Sequence, residues 1–189
     1  MRKNYNERGC VYMNYQEILS RFTYEDETDI MERIVLVDSE NYRENKDIIN
    51  QIILWKMNRT PQVDDELIDM IYSLGDIKTP EMAVKSEKTK RTLEKLLKTK
   101  GMKLPMASTV MHFYFPDIYP IMDQRAYREL YKEEYPRYIG KIETMVEVYV
   151  KYIEDTYRYQ QEKCSEIPFS KIDKVLYQLD KEKGYKVVY

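Results

Sequence analysis

Asp123 closes the segment Tyr119-Pro120-Ile121-Met122-Asp123 and stands directly before Gln124-Arg125-Ala126-Tyr127, which reads as the start of a helix. A carboxylate there caps the helix. The first-turn N–H groups and the helix dipole favour its charged form, so it is expected to stay ionised at neutral pH. A fixed anion beside an apolar, Pro-containing loop suits one kind of chemistry, the stabilisation of positive charge that develops on a sugar as a glycosidic bond breaks. Taken alone, Asp123 reads first as a helix cap and nothing more.

A second pattern lies upstream, in Lys98-Thr99-Lys100-Gly101-Met102-Lys103-Leu104-Pro105. One helix ends near Lys100, Gly101 supplies a turn that tolerates positive φ, and Pro105 suits the first position of the next helix. Ala107, Val110, Met111 and Tyr114 then give that second helix its buried face. A tight helix-hairpin-helix flanked by lysines aims backbone N–H groups at a phosphate. Many helical proteins join helices this way, so the hairpin alone is unspecific.

Charge is distributed unevenly around these residues. The chain has a formal net charge of -2 and a pI near 5.7, which argues against a general polyanion binder. From Lys85 to Lys103 there are eight basic residues against Glu87 and Glu94, a local balance of 8 - 2 = +6. Such a patch can hold phosphate locally, although most Lys-rich helices are only solvated faces.

The elements that must carry these residues are helical almost throughout. Ile48, Ile49, Ile52 and Ile53 share a helix face ending near Trp55, and Leu67, Ile68, Ile71 and Leu74 mark a helix stopped by Gly75. Thr79-Pro80 is a cap followed by a first-position proline, and Leu93, Leu96 and Leu97 give the Lys-rich helix its apolar side. Ile142 to Thr156 traces a long helix. The last one starts at Ser170-Lys171-Ile172-Asp173, a capping-box-like signal, and buries Ile172, Val175, Leu176 and Leu179. Glu32 to Asp38 reads equally as a short strand or a helix continued from Asp29. At 189 residues, without a repeat or flexible linker, the expectation is an all-α, single compact helical domain over residues 1–189, with 1–40 as an N-terminal extension. No apolar run approaches the roughly 18 residues of a membrane span and the N-terminus lacks a secretory signal pattern, so no membrane association and a cytoplasmic location are expected.

The hairpin-to-Asp segment, residues 86–123, resembles the helix-hairpin-helix, Gly/Pro-rich loop, Asp (HhH-GPD) superfamily of DNA glycosylases. In outline, its adenine-DNA glycosylase branch carries a hairpin G-x-G, two residues later the position that decides lysine chemistry, then T-A, then F-P-I-L-D. Gly101-Met102-Lys103-Leu104-Pro105-Met106-Ala107 and Tyr119-Pro120-Ile121-Met122-Asp123 follow in that order, with 123 - 107 = 16 positions between Ala107 and Asp123, as in that branch. The firm resemblance covers about a fifth of the chain. It implies a catalytic role for Asp123 and phosphate binding by Lys98, Lys100, Gly101, Met102, Lys103, Leu104 and Pro105. Asp47 to Arg59 looks like the family's early apolar helix, whose end probes the DNA stack, which points to Met57, Asn58 and Arg59, with Trp55 packed or walling a base pocket.

The departures from the family pattern carry implications of their own. Pro105 occupies the place of the Schiff-base lysine, which removes the amine for covalent lyase chemistry. Lys103 replaces the hairpin's second glycine and puts its usual backbone geometry in doubt. Cys10 and Cys164 are too few for the four-Cys iron-sulfur cluster of some relatives, so no cluster, no metal and no other cofactor are expected. The implied activity is a monofunctional DNA base glycosylase acting on duplex DNA with an extruded base. A protein of the same fold that binds DNA without cutting, or a helical protein-interaction module, are the alternatives. Arg125 and Arg128 are placed either to contact phosphate or to pair with Glu129, Glu133 and Glu134. The only histidine, His112, reads as packing or surface, and most of the nineteen tyrosines must simply pack.

Overall fold

The computed structural model describes residues 28–56, 60–136 and 140–186, and the regular elements among them are all helices. The three residues assigned to DNA probing, Met57, Asn58 and Arg59, lie outside the described residues, as does Cys10. The chain divides into two compact units, Met1–Thr60 and Pro61–Tyr189. Among the described residues no helix is long and apolar enough to cross a membrane.

In the first unit, α1 (Thr28–Leu36) and α2 (Tyr42–Lys56) form an antiparallel pair. The ambiguous Glu32–Asp38 segment is therefore helical as far as Leu36. Asn41 starts α2, accepting from the Glu44 N–H at 3.2 Å while its amide donates to the Glu44 carboxylate at 3.0 Å, a reciprocal cap. Arg33 ties the helices together by donating to Gln51 at 2.6 Å. Of the isoleucine stripe only Ile48 is buried. Ile49, Ile52 and Ile53 remain exposed, and Trp55 is half-buried.

The second unit holds the hairpin and Asp123. Its helices are α3 (Asp65–Ser73), α4 (Pro80–Lys85), α5 (Glu87–Lys98), α6 (Leu104–Tyr114), α7 (Gln124–Tyr131), α8 (Ile142–Lys163) and α9 (Ile172–Glu182). Several start where side-chain chemistry requires it: Asp64, Thr79, Ser86 and Asp123 each accept a first-turn N–H. The 22-residue α8 is the spine, packing against α4, α5, α6, α7 and α9. Its Tyr149, Tyr152 and Ile153 face Leu67, Leu74, Leu93, Leu96, Met111 and Met122 in one core. Full burial of each such side chain is worth about 1.5–3 kcal/mol.

The expected capping box at Ser170–Asp173 does not form. A 3-10 turn, Phe169–Lys171, leads into α9, and Lys171 at the N-cap makes no side-chain cap bond. Asp173 faces the core instead. Ile172 and Leu176 are buried as the pattern required, while Val175 and Leu179 are only partly covered.

Candidate active site

Asp123 is carried by a loop whose polar backbone groups are taken up by side chains from distant helices. Tyr119 O accepts from His112 Nδ1 of α6 at 2.8 Å, and the Tyr119 hydroxyl meets Thr89 of α5 at 2.9 Å. Pro120 O accepts from the Tyr149 hydroxyl at 3.0 Å, and Ile121 O accepts from that of Tyr152 at 3.1 Å, both on α8. Met122 N donates to Ser108 Oγ of α6 at 3.1 Å, while Ile121 N leans on Asp173 Oδ2 of α9 at 3.4 Å. Buried backbone groups need such partners, and a two-proline loop cannot supply them by a ladder of its own. Here His112 and two of the many tyrosines have a definite task. Because a carbonyl only accepts, His112 Nδ1 must carry a proton.

The carboxylate emerges from this frame as the N-cap of α7. Asp123 Oδ1 accepts from Ala126 N at 2.8 Å, and the Arg125 N–H also favours its charged form. The helix-end donors do not set the direction of its shift, however. Burial, reinforced by the nearby Asp173 carboxylate, outweighs those donors and lifts the Asp123 carboxyl above its ordinary value. Asp123 makes no ion pair among the described residues and is only partly accessible. Its neighbour Tyr135, edge-on to Tyr127 at 5.5 Å, is pushed up to about 12 by burial first and then by Tyr127 and Asp123.

Tyr135 also walls a groove of about 550 Å³ that runs along the α5–α6 turn. Leu97, Met102, Leu104, Ile142 and Met145 make it apolar, and Lys103 and Pro105 stand at the same groove. Gly101 has φ 81°, as the turn reading required, so a side chain there would be strained. Pro105 lies in the first turn of α6 and Lys103 is its N-cap without a side-chain cap bond. Met102 and Leu104 are buried, so their side chains anchor the turn in the core. Lys100, Gly101 and Lys103 are exposed there and Pro105 is half-buried.

The Lys-rich helix is less basic in space than in sequence. Lys88 pairs with Asp76, Lys90 with Glu87, Lys98 with Glu94, and Lys95 with both Asp64 and Glu66. Asp64, Asp76 and Glu66 come from outside the segment, which is why counting within it overstated the patch. Arg91 looks across a groove of about 750 Å³ at glutamates of α8, including Glu143 and Glu147.

Arg128 pairs with Glu134, one of the expected partners, but the main partner of both arginines is a residue the sequence did not single out. Both bind Asp180 of α9, Arg125 at 3.0 Å and Arg128 through Nε and Nη2 at 2.7 and 2.8 Å. Arg125 also donates to Tyr185 O at 3.1 Å and lies 5.6 Å from the Tyr177 ring centre, while Arg128 stacks 5.1 Å from Tyr185. Arg128 reaches Glu134 as well, at 3.3 Å. Asp180 is fully buried, and although burial alone would raise its carboxyl, Arg128 and Arg125 hold it below its ordinary value. The Arg125 assigned to DNA is thus engaged within the protein. Asp173 reads in sequence only as part of a capping box, and Asp180 carries no sequence signal beyond its place on an apolar helix face, where a charged residue is out of pattern.

Among the described residues no group of three or more His, Cys, Asp or Glu side chains is arranged to hold a metal ion. No family model matches the sequence, and no curated protein and no solved structure matches it either.

Proposed function

We propose that this chain is a monofunctional DNA base glycosylase of HhH-GPD type, hydrolysing the N-glycosidic bond of an extruded damaged or modified base. The observation that carries the reading is Asp123: a partly buried carboxylate that makes no ion pair among the described residues, held at the start of α7 by a loop bonded to four other helices. Burial makes that negative charge costly while the site is empty. An oxocarbenium-like sugar cation forming beside it supplies the missing partner, so the interaction strengthens in the transition state, which is what catalysis requires. The sugar would sit against Asp123 and water would be the nucleophile, since Pro105 offers no amine for a Schiff base. Lys103, Gly101 and the first-turn N–H groups of α6 would hold a backbone phosphate, and the apolar groove edged by Tyr135 would take the extruded base.

A second reading, a protein that binds DNA without cutting, draws support from the departures in the hairpin, Lys103 in place of its second glycine and Pro105 in place of the lysine. Four lysines of α5 are paired with carboxylates, which leaves fewer for phosphate in either reading. One experiment separates the two. Duplex and single-stranded oligonucleotides carrying a panel of damaged and modified bases are incubated with wild type and Asp123→Asn, and alkali reveals abasic sites. Product from the wild type alone supports the glycosylase. Binding by both proteins, weakened by salt and by Lys103→Ala, with product from neither, supports the silent binder. No salt-sensitive binding at all rejects both.

A further inference from the structure

Asp173 is the buried acid that this proposed mechanism leaves unused. It lies in the first turn of α9 with 4% of its surface exposed and makes no ion pair among the described residues. Oδ1 accepts from the Lys174 N–H at 2.8 Å and Oδ2 from Ile121 N at 3.4 Å. Neither bond requires a negative charge, because a neutral amide or hydroxyl oxygen accepts equally well. A charged side chain kept at such a place is costly, and here it is set into the loop two residues before Asp123. The helix that carries it is clamped to α7 by Asp180, bound to both Arg125 and Arg128, so its position relative to Asp123 is fixed from the other end as well.

We propose that Asp173 is a positioning residue for Asp123: it holds the Ile121 N–H and sets a second buried carboxylate within electrostatic range of the first. The two negative charges repel across a poorly solvated interior, and a cation forming at Asp123 relieves both at once. This consequence rests on the glycosylase reading, whereas the coupling between the two acids does not. The charged and titratable groups facing Asp123 are Arg125 on its own helix, Tyr135 beyond the end of that helix, Tyr152 on α8 and Asp173 on α9. Asp173 itself is faced by Tyr149 and Tyr152 of α8 and by Asp123. Arg125 is turned to Asp180, so the like charge of Asp173 is not offset by an ion pair at Asp123 among the described residues.

The test follows the Asp123 carboxyl carbon by NMR through a pH titration of the full chain, in wild type, Asp173→Asn and Asp173→Ser, the resonance being assigned by its absence in Asp123→Asn. Asp173→Asn keeps an oxygen for Ile121 N–H, Asp173→Ser withdraws it, and both remove the charge, so the midpoint of Asp123 is expected to move down in each. A merely structural role for Asp173 does not move it. An unchanged midpoint in a folded variant overturns the proposal. Should neither variant fold, the wild-type curve decides: two steps at Asp123 support the coupling and a single step rejects it. Absence of abasic product in the oligonucleotide assay removes the glycosylase reading and leaves this result standing, so the two failures are distinguishable.

Discussion

The two ends of the α7–α9 pairing handle a buried aspartate in opposite ways. At one end Asp180 is fully buried and gripped by Arg125 and Arg128; at the other Asp123 is partly buried, makes no ion pair among the described residues, and sits near the like charge of Asp173. The first arrangement compensates its charge within the fold, and the second leaves charge to be compensated from outside. The difference separates a carboxylate that holds helices together from one suited to a reaction. Arginines two and five residues beyond Asp123 belong to the first task, although the sequence left phosphate contact and pairing with nearby glutamates both open to them.

The contrast is broken most severely at Asp180. Replacing it by Ala leaves two guanidinium groups without their partner in a largely covered site, and a loss of about 3–5 kcal/mol is expected from chemical denaturation. The loss depends on pH with a definite sign. Asp180 is held below its ordinary value, so its contribution is complete above the unfolded-state pKa and fades as pH falls through the folded one. Wild type and variant should converge in acid; a gap that persists there would show that the ion pair was not its source.

Tyr149→Phe comes next in size. It removes the donor to Pro120 O and leaves a buried carbonyl unpaired beneath the Asp123 loop, for a cost of about 1–3 kcal/mol by the same measurement. Activity on any substrate that the wild type cleaves should fall as well, because the loop that presents Asp123 loses a support.

Asp123→Asn should go the other way. Asn caps a helix about as well as Asp and carries no charge to bury. A carboxyl held above its ordinary value in the folded state loses stability as pH rises through the window between the unfolded and folded values. The variant should therefore melt higher than wild type at neutral pH, with the advantage vanishing in acid, and any base excision found with the wild type should be lost. A lower melting temperature at neutral pH would mean that the fold needs the charge.

Lys88→Ala should have the smallest effect. Its partner Asp76 is exposed, and pairs of that kind contribute little, so the melting temperature should stay within error of wild type. A clear drop would show that the α5 ion pairs act as a network.

The helices were legible in sequence because their signals are local. Thr79-Pro80 begins α4, Gly101 adopts the positive φ its turn demands, and Asp123 caps α7 as its neighbours suggested. Asp123 and Lys103 could be placed for the same reason. What stayed hidden depends on pairings between distant residues. No spacing tells that Asp64 and Glu66 neutralise Lys95, that Asp180 claims both arginines, or that Asp173 turns into the core instead of closing a capping box. The direction of the Asp123 shift was missed because helix-end donors are read from neighbours, whereas burial is set by the whole unit.

The loop from Tyr119 to Met122 also bears on how the molecule opens. Its partners lie on α5, α6, α8 and α9, between 7 and 52 residues away in sequence, so it has little to hold until those helices have assembled. Asp123 is then in place only when the unit is complete. The Met122 amide proton, bonded to Ser108 inside the core, should exchange with solvent deuterium only through global unfolding. In a partly unfolded chain the eight-residue α7 is too short to persist alone, so both the helix and the carboxylate at its start are organised only in the finished fold.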